Sequence, residues 1–576
     1  MNIVLLVRLM FFNLIHTRIR FIFVGVVIIL VLIIFKVFYI QVFQYEKLKT
    51  LSDSLYSRKL PIAADRGEIL DRNGKVLATN ITTTSLVLIP RQITDKKKVA
   101  DALSKILGVT YEEMYKHVTK NESIERVHPE GRRLSYDIAK QIEDLGFDGV
   151  YLVKESKRYY PYNEMLSHVL GYIGIDNQGL SGLELVYDDY LKGEDEVYNL
   201  MNDKLILVKD GDVGKDLTLT IDINLQKYVE SVLKEEIIKA KKNYSTKYFN
   251  HSYVVISDTY GGILAMSGKE YFNEKVIDRS IGVITDTMTV GSSVKAASML
   301  IGYDTNTIKI GEVIRDECLK IKNTPKKCSF TTMGNINDIV ALQRSSNVYQ
   351  FKIAIELAGG IYRYNEPLRI NEKAFETYRE YFSRFGLGEN TGIELLNESR
   401  GYKGSSTLPG LLLDFAIGQY DTYTTMQLNQ YISTIARNGK RYSMHLLDNV
   451  TFNDEMVYSY EPNILNEINI EQKYIDRVVL GLRKVITNGT GYGYVNSKYK
   501  AAGKTGTSES FMDTNSDGYV DKETNSTSFV MFMPYDNPKV AISITSPNIS
   551  YNSSYTYPLN KYVIRRITDK IDSFIN

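Results

Sequence analysis

The sequence predicts an α+β protein carried behind an N-terminal transmembrane helix, and three observations lead to that class. Residues 21–43 form a long apolar stretch, residues 217–266 alternate strand and helix patterns, and the C-terminal end returns to strands before closing with a helix. A sheet covered by helices is the arrangement that buries such a set of apolar faces.

The anchor comes first. Phe21 to Phe35 is unbroken apolar sequence, and after Lys36 the pattern resumes through Val37–Ile40 and Val42–Phe43. A helix needs about 20 residues to cross a ~30 Å hydrocarbon core, so residues 21–43 are long enough. Lys36 lies near one end, from which its amine reaches the interface. Arg8, Arg18 and Arg20 precede the run, which assigns residues 1–20 to the cytoplasmic side and the bulk of the chain to the outside. No small-residue cleavage site follows, so the segment reads as an uncleaved anchor.

The 576 residues exceed one ordinary core, at roughly 100–200 residues per domain. Hydrophobic residues at 44% and charged residues at 24% describe a globular chain. A net charge of +2 argues against nucleic acid as a bulk electrostatic partner.

Residues 44–215 read as an elongated mixed spacer. It opens on Arg66–Gly74, RGEILDRNG, where Asn73-Gly74 between two short apolar runs signals a hairpin. Residues 96–119 and 133–145 carry helical spacing with charged faces. No cluster of nucleophile, base or metal ligand stands out.

Residues 216–576 read as the chemical domain. Leu217–Ile221 alternates as a strand and Asn224–Lys239 as an amphipathic helix. Ser252–Ser257 and Gly262–Met266 form a strand pair around Gly261-Gly262. Strands return at Ser528–Met533 and Val540–Ser546, and a helix runs from Leu559 to about residue 575.

Three short motifs carry the chemistry. In Gly291-Ser292-Ser293-Val294-Lys295, Ser292 and Lys295 are three apart and share one helical face. A hydroxyl is a poor nucleophile without an adjacent base. Lysine serves as that base only when uncharged, which requires desolvation or a neighbouring cation. Ser345-Ser346-Asn347 offers a hydroxyl and an amide for the same lysine. Lys504-Thr505-Gly506-Thr507 offers a strand able to hold a substrate carboxylate, with Gly506 admitting a close peptide backbone. Singly each motif is weak, and decoys exist at Ser497–Lys500 and Ser546–Asn548. The ordered triple is what discriminates.

That triple is the motif set of penicillin-binding proteins and the related β-lactamases. Over nearly its whole length the chain resembles a class B penicillin-binding protein, a monofunctional peptidoglycan D,D-transpeptidase. Arg66–Gly74 resembles the first box of that family's pedestal domain, Gly179–Leu185 with Tyr187–Gly193 its last, and Gly214–Gln226 the entry to its transpeptidase domain. The resemblance implies a pedestal at 44–215 and a penicillin-binding/serine β-lactamase-like transpeptidase domain at 216–576, an antiparallel sheet flanked by helices. It implies Ser292 as nucleophile, Lys295 as base, Ser345 as proton relay and Asn347 as holder of the substrate amide. Lys504, Thr505 and Thr507 would grip the terminal carboxylate, and the N–H groups of Ser292 and Thr507 would form the oxyanion hole. Where the family often has proline before the Gly-Ser, this chain has Val290. The implied partners are stem peptides, β-lactams, the bacterial cell membrane, a membrane glycan polymerase and other cell-wall synthesis proteins. The rival readings are a membrane-bound β-lactamase or D,D-carboxypeptidase, and a non-catalytic scaffold or β-lactam sensor.

The chemistry itself requires no cofactor, but two metal sites come into view. Cys318 and Cys328 are the only cysteines, and an external pair at this spacing most often closes a local disulfide. The sharper reading is a structural zinc held by Asp316, Cys318, Cys328 and one imidazole, assigned to His445. Asp513, Asn515 and Asp517 ahead of Gly518 resemble the front of a calcium loop, although its twelfth position is Thr524 rather than glutamate. A polar turn between strands is the competing reading.

Overall fold

The computed structural model describes residues 29–39, 41, 44 and 59–572, apart from 123, 202–203, 516 and 552–555. The anchor expected at 21–43 falls largely outside the described residues. Within it residues 29–39 are helical, with the apolar side chains of Ile29–Phe35 exposed. Among the described residues no helix is long and apolar enough to cross a membrane.

The chain forms two compact units. One gathers Thr82–Lys157 and Asp195–Asp212 with the described residues up to Ala63; the other gathers Ala64–Ile81, Arg158–Glu194 and the described residues from Val213 onward. Residues 64–81 and 158–194, expected in the spacer, therefore pack with the larger unit.

In the smaller unit, helices Lys96–Leu107, Tyr111–Thr119 and Tyr136–Asp144 begin on Asp95, Thr110 and Ser135, whose side chains accept from the first-turn N–H groups. Thr110 and Glu113 complete a reciprocal capping box. Their apolar faces bury Leu103, Met114, Val118 and Ile142 against Leu86 and Leu88.

In the larger unit, the hairpin forecast at Asn73-Gly74 is present, with Gly74 at φ 77° where a Cβ is disfavoured. Arg66 ties this segment to residues 158–194, which belong to the same unit. Its buried guanidinium pairs with Glu184 at 2.9 Å and Asp188 at 2.6 Å, while Arg158 reaches Glu184 at 2.7 Å.

The central sheet holds six strands: β1 (His251–Asp258), β2 (Ile263–Phe272), β3 (Lys275–Asp278), β4 (Ala502–Met512), β5 (Lys522–Met533) and β6 (Val540–Ser550). Their order is β3-β2-β1-β6-β5-β4, with every neighbour antiparallel. The Lys504 strand, β4, is thus an edge, paired only through β5, where Gly506 sits opposite Ser528.

Among the helices around it are α1 (Ile223–Lys241), α2 (Lys295–Asp304), α3 (Asn347–Leu357), α4 (Thr425–Ala436), α5 (Gln472–Asn488) and α6 (Leu559–Lys570). Asp222 caps α1. On one face of the sheet, Leu225, Val229 and Leu233 of α1 and Val563, Ile564 and Ile567 of α6 pack with Val254, Phe529, Met531 and Ile542. On the other lies α4, buried at every residue from Thr425 to Ala436. Its Asn429 meets the sheet by accepting from the Ser257 hydroxyl at 2.7 Å. Beyond it α2, α3 and α5 share a core that includes Met299, Leu300, Tyr349, Ile353, Val478 and Leu482. The nucleophile segment is therefore wedged between that helical core and the edge strand.

Candidate active site

Ser292 lies in a 3₁₀ turn, Gly291–Val294, that leads directly into α2 at Lys295. With three residues per turn, a 3₁₀ geometry stacks positions i and i+3 over one another, so the spacing anticipated for an α-helix is tightened. The turn presses on β4. Gly291 has φ 57°, and a Cβ there would stand 2.2 Å from the Thr507 carbonyl oxygen.

Gly506 faces the same contact from the other side. A Cβ on it would meet Ser528 Oγ at 2.2 Å and Val290 O at 2.3 Å. Besides any approaching substrate, the packing of β4 against the nucleophile turn requires a glycine at this position.

The two lysines meet at Ser345, a non-glycine residue at φ 58°. Lys295 Nζ donates to Ser345 O at 2.9 Å and Asn347 Oδ1 at 2.6 Å, and lies 3.3 Å from Ser345 Oγ. Lys504 Nζ donates to the same Oγ at 2.9 Å and to Thr505 O at 2.9 Å. Both lysines are fully buried. Burial, helped by the neighbouring Lys504 charge, holds the Lys295 amine well below its usual range. Burial alone pulls Lys504 down to about 7. Both therefore favour the uncharged form far more than a surface lysine does.

Ser292, Ser345, Asn347, Thr505, Gly506 and Thr507 line one cleft of about 820 Å³. The eight residues of the three motifs are thus brought together, six on the cleft wall and two lysines behind it. The decoys are elsewhere: Lys498 pairs with Asp572 at the surface, and Ser546 is buried against Ser252 and Asn560.

Behind Asn347 lies a buried set of groups that sequence reasoning missed. Asp316 accepts from the hydroxyls of Ser329 and Ser346. Ser329 Oγ in turn accepts from the N–H groups of Asn347 and Val348, and Asn347 Nδ2 donates to Cys328 O at 3.0 Å. Ser346 caps α3, a signal its position before a helical run did carry. Nothing local marks Ser329.

The zinc set is not assembled. Cys318 and Cys328 are joined to each other as a disulfide, their Cα atoms 4.3 Å apart, so neither offers a thiolate. Asp316 is committed to the two hydroxyls, and His445 stacks on Tyr460 beside Gly262. The calcium loop is a polar turn. Asp513 accepts from the N–H groups of Asn515, Asp517 and Gly518, Asp517 accepts from Tyr519 and from Asn515 Nδ2, and Thr524 is part of β5. Among the described residues no three His, Cys, Asp or Glu side chains are grouped to hold a metal ion.

Comparison with known proteins agrees with this geometry. The penicillin binding protein transpeptidase domain matches residues 251–569, and the penicillin-binding protein dimerisation domain matches residues 61–219. The chain is 38% identical over 475 residues to penicillin-binding protein 2A of Bacillus subtilis, a match covering 75% of this chain and 66% of that protein. It is 24% identical over 591 residues to the peptidoglycan D,D-transpeptidase FtsI of Buchnera aphidicola, covering 96% of this chain and 95% of the relative. Penicillin-binding protein 2B of Streptococcus pneumoniae strain R6 shares the fold, with a TM-score of 0.71 at 22% identity over 90% of this chain and 99% of that one.

Proposed function

This chain belongs to the penicillin-binding protein transpeptidase family, and from that premise we propose that it is a membrane-anchored peptidoglycan D,D-transpeptidase working through an acyl-serine. The observation that carries the reading is the fully buried Lys295 amine, held by Ser345 and Asn347 in the cleft that Ser292 lines.

In this reading Ser292 Oγ attacks the carbonyl between the two terminal D-alanines of a stem peptide, and its proton passes to the uncharged Lys295. The Ser292 and Thr507 N–H groups receive the developing oxyanion. Collapse breaks the C–N bond, and the leaving D-alanine amine takes a proton through Ser345, which Lys504 polarises. An amine of a second peptide then attacks the ester, gives up its proton and releases Ser292. Thr505 and Thr507 bind the terminal carboxylate beside Lys504. β-Lactams enter as mimics of the same donor and stop at the acyl-serine. The apolar run at 21–43 behind Arg8, Arg18 and Arg20 supports a single-pass anchor with the catalytic unit outside the cell. A membrane glycan polymerase supplying the strands is the partner class this placement calls for.

Labelling with a fluorescent penicillin tests the reading. Wild type forms a stable adduct and Ser292→Ala forms none. A wild type that fails to label, or a Ser292→Ala protein that labels, rejects it, and rapid release of the adduct points to a hydrolase instead.

A further inference from the structure

Thr490 belongs to none of the three motifs, yet two of them meet through it. It begins the turn after α5, two residues beyond the last helical residue, Asn488. Two reciprocal bonds hold this turn to the segment leading into Ser345. Gln343 Nε2 donates to Asn488 O at 3.1 Å, and the Thr490 N–H donates to Gln343 O at 3.2 Å. Gly489 permits the approach, since a Cβ there would stand 2.4 Å from Gln343 O. From this tether Thr490 Oγ1 lies 2.7 Å from Thr505 Oγ1, and both residues line the cleft. Among the described residues neither hydroxyl has a second side-chain partner.

A hydroxyl carries one proton and accepts through its lone pairs. In a pair bonded to each other, one proton is spent in the bond and one is left over. The hydroxyl that accepts becomes the stronger donor, because hydrogen bonds in a chain polarise one another. A joined pair facing the cleft therefore presents a single directed O–H, next to the Lys504 amine that lies against Thr505 O. Its chemical complement is an anionic acceptor.

We propose that Thr490 is a positioning residue that orients the Thr505 hydroxyl toward the free carboxylate of the donor peptide. The proposal rests on the acyl-serine reading above and adds a residue to its substrate recognition. It makes the Gln343-to-Thr490 tether the link that sets the distance between the Ser345 wall and the Thr505 wall.

The test uses full-length protein in detergent and two small donors, an N-acyl-D-alanyl-thioglycolate ending in a carboxylate and its counterpart ending in a carboxamide. Release of thiol reads acylation of Ser292. Thr490→Val should lower kcat/KM for the carboxylate donor by ~10- to 100-fold, the range for losing a hydrogen bond to a charged group. The carboxamide donor should be nearly unaffected, and Thr490→Ser should restore the carboxylate rate. Thr490→Ala removes the same hydroxyl without placing a methyl in its position and should repeat the contrast if valine packs badly. Equal losses on both donors would reduce Thr490 to a structural role, and unchanged rates would remove it from recognition; either result overturns the proposal. Absence of thiol release by the wild type on both donors would instead overturn the acyl-serine reading, and this one with it.

Discussion

Lys295 Nζ and Asn347 Oδ1 are 2.6 Å apart, and this contact decides what the amine has to offer. The amide orientation is fixed because Asn347 Nδ2 donates to Cys328 O, so oxygen faces the lysine. An uncharged amine has two N–H donors and one lone pair. Both donors are engaged by carbonyl-type oxygens, Asn347 Oδ1 and Ser345 O, so the lone pair is the side that can take a hydroxyl proton, and Ser345 Oγ already lies 3.3 Å from the nitrogen. The arrangement suits a base, and it works only while no carboxylate stands at hydrogen-bond distance from Lys295.

Asn347→Asp changes that condition with little change of shape. A carboxylate at hydrogen-bond distance favours the ammonium form. The Lys295 pKa should rise, and the acidic limb of the pH profile for penicillin acylation should move to higher pH. At neutral pH acylation should fall by ~10²- to 10⁴-fold, the usual contribution of a positioned base. Acylation rates across pH check this, and an unmoved acidic limb would remove Lys295 as the base.

Lys504→Met should separate stability from activity. Burial pulls the folded-state value down to about 7 from 10.5. Between those values the unfolded chain binds more protons than the folded one, so wild-type stability falls as pH drops from 10.5 toward 7. Methionine removes that loss. The variant should melt higher than wild type at pH 7, the difference should shrink as pH approaches 10.5, and penicillin labelling should be lost. Thermal melts over that range are the measurement.

Gly506→Ala should cost about 1–3 kcal/mol, as overpacking of a filled site does. The added methyl meets the Val290 carbonyl and Ser528 Oγ, and the first is backbone that can yield only by moving the nucleophile turn away from β4. Labelling should slow even where the protein stays folded. Denaturant unfolding and labelling kinetics on one preparation give both numbers.

Glu184→Gln tests the junction between residues 64–81 and residues 158–194. The carboxylate is fully buried and serves both Arg66 and Arg158. Removing its charge takes the carboxylate from Arg158 and leaves Arg66 with Asp188, at a cost of roughly 3–5 kcal/mol. A large fall in melting temperature is expected; a change of a degree or less would show that the pair contributes little.

Much of the fold was legible locally. The strands at Ser528–Met533 and Val540–Ser546 and the helix at Asn224–Lys239 appear where their periods placed them, each extended by a few residues. The helix α4 did not announce itself as amphipathic, because a helix buried on every side carries no polar stripe to give the period. Asp316 and Cys318 looked like metal ligands from spacing alone, and their partners turned out to be hydroxyls and the other cysteine.

What the sequence by itself determined is the set of reactive groups and their order: a hydroxyl and an amine one turn apart, then Ser345 with Asn347, then Lys504 on a strand. These are local patterns, governed by helical and strand periods of a few residues. What only the tertiary structure decided is which groups face each other. Lys504 reaches Ser345 across 159 positions, Gly506 is glycine because of Val290, and Thr490 joins two motifs without resembling either. The physical reason is that burial and hydrogen-bond partnership, which set the charge state of both lysines, depend on neighbours in space that the order of the chain does not name.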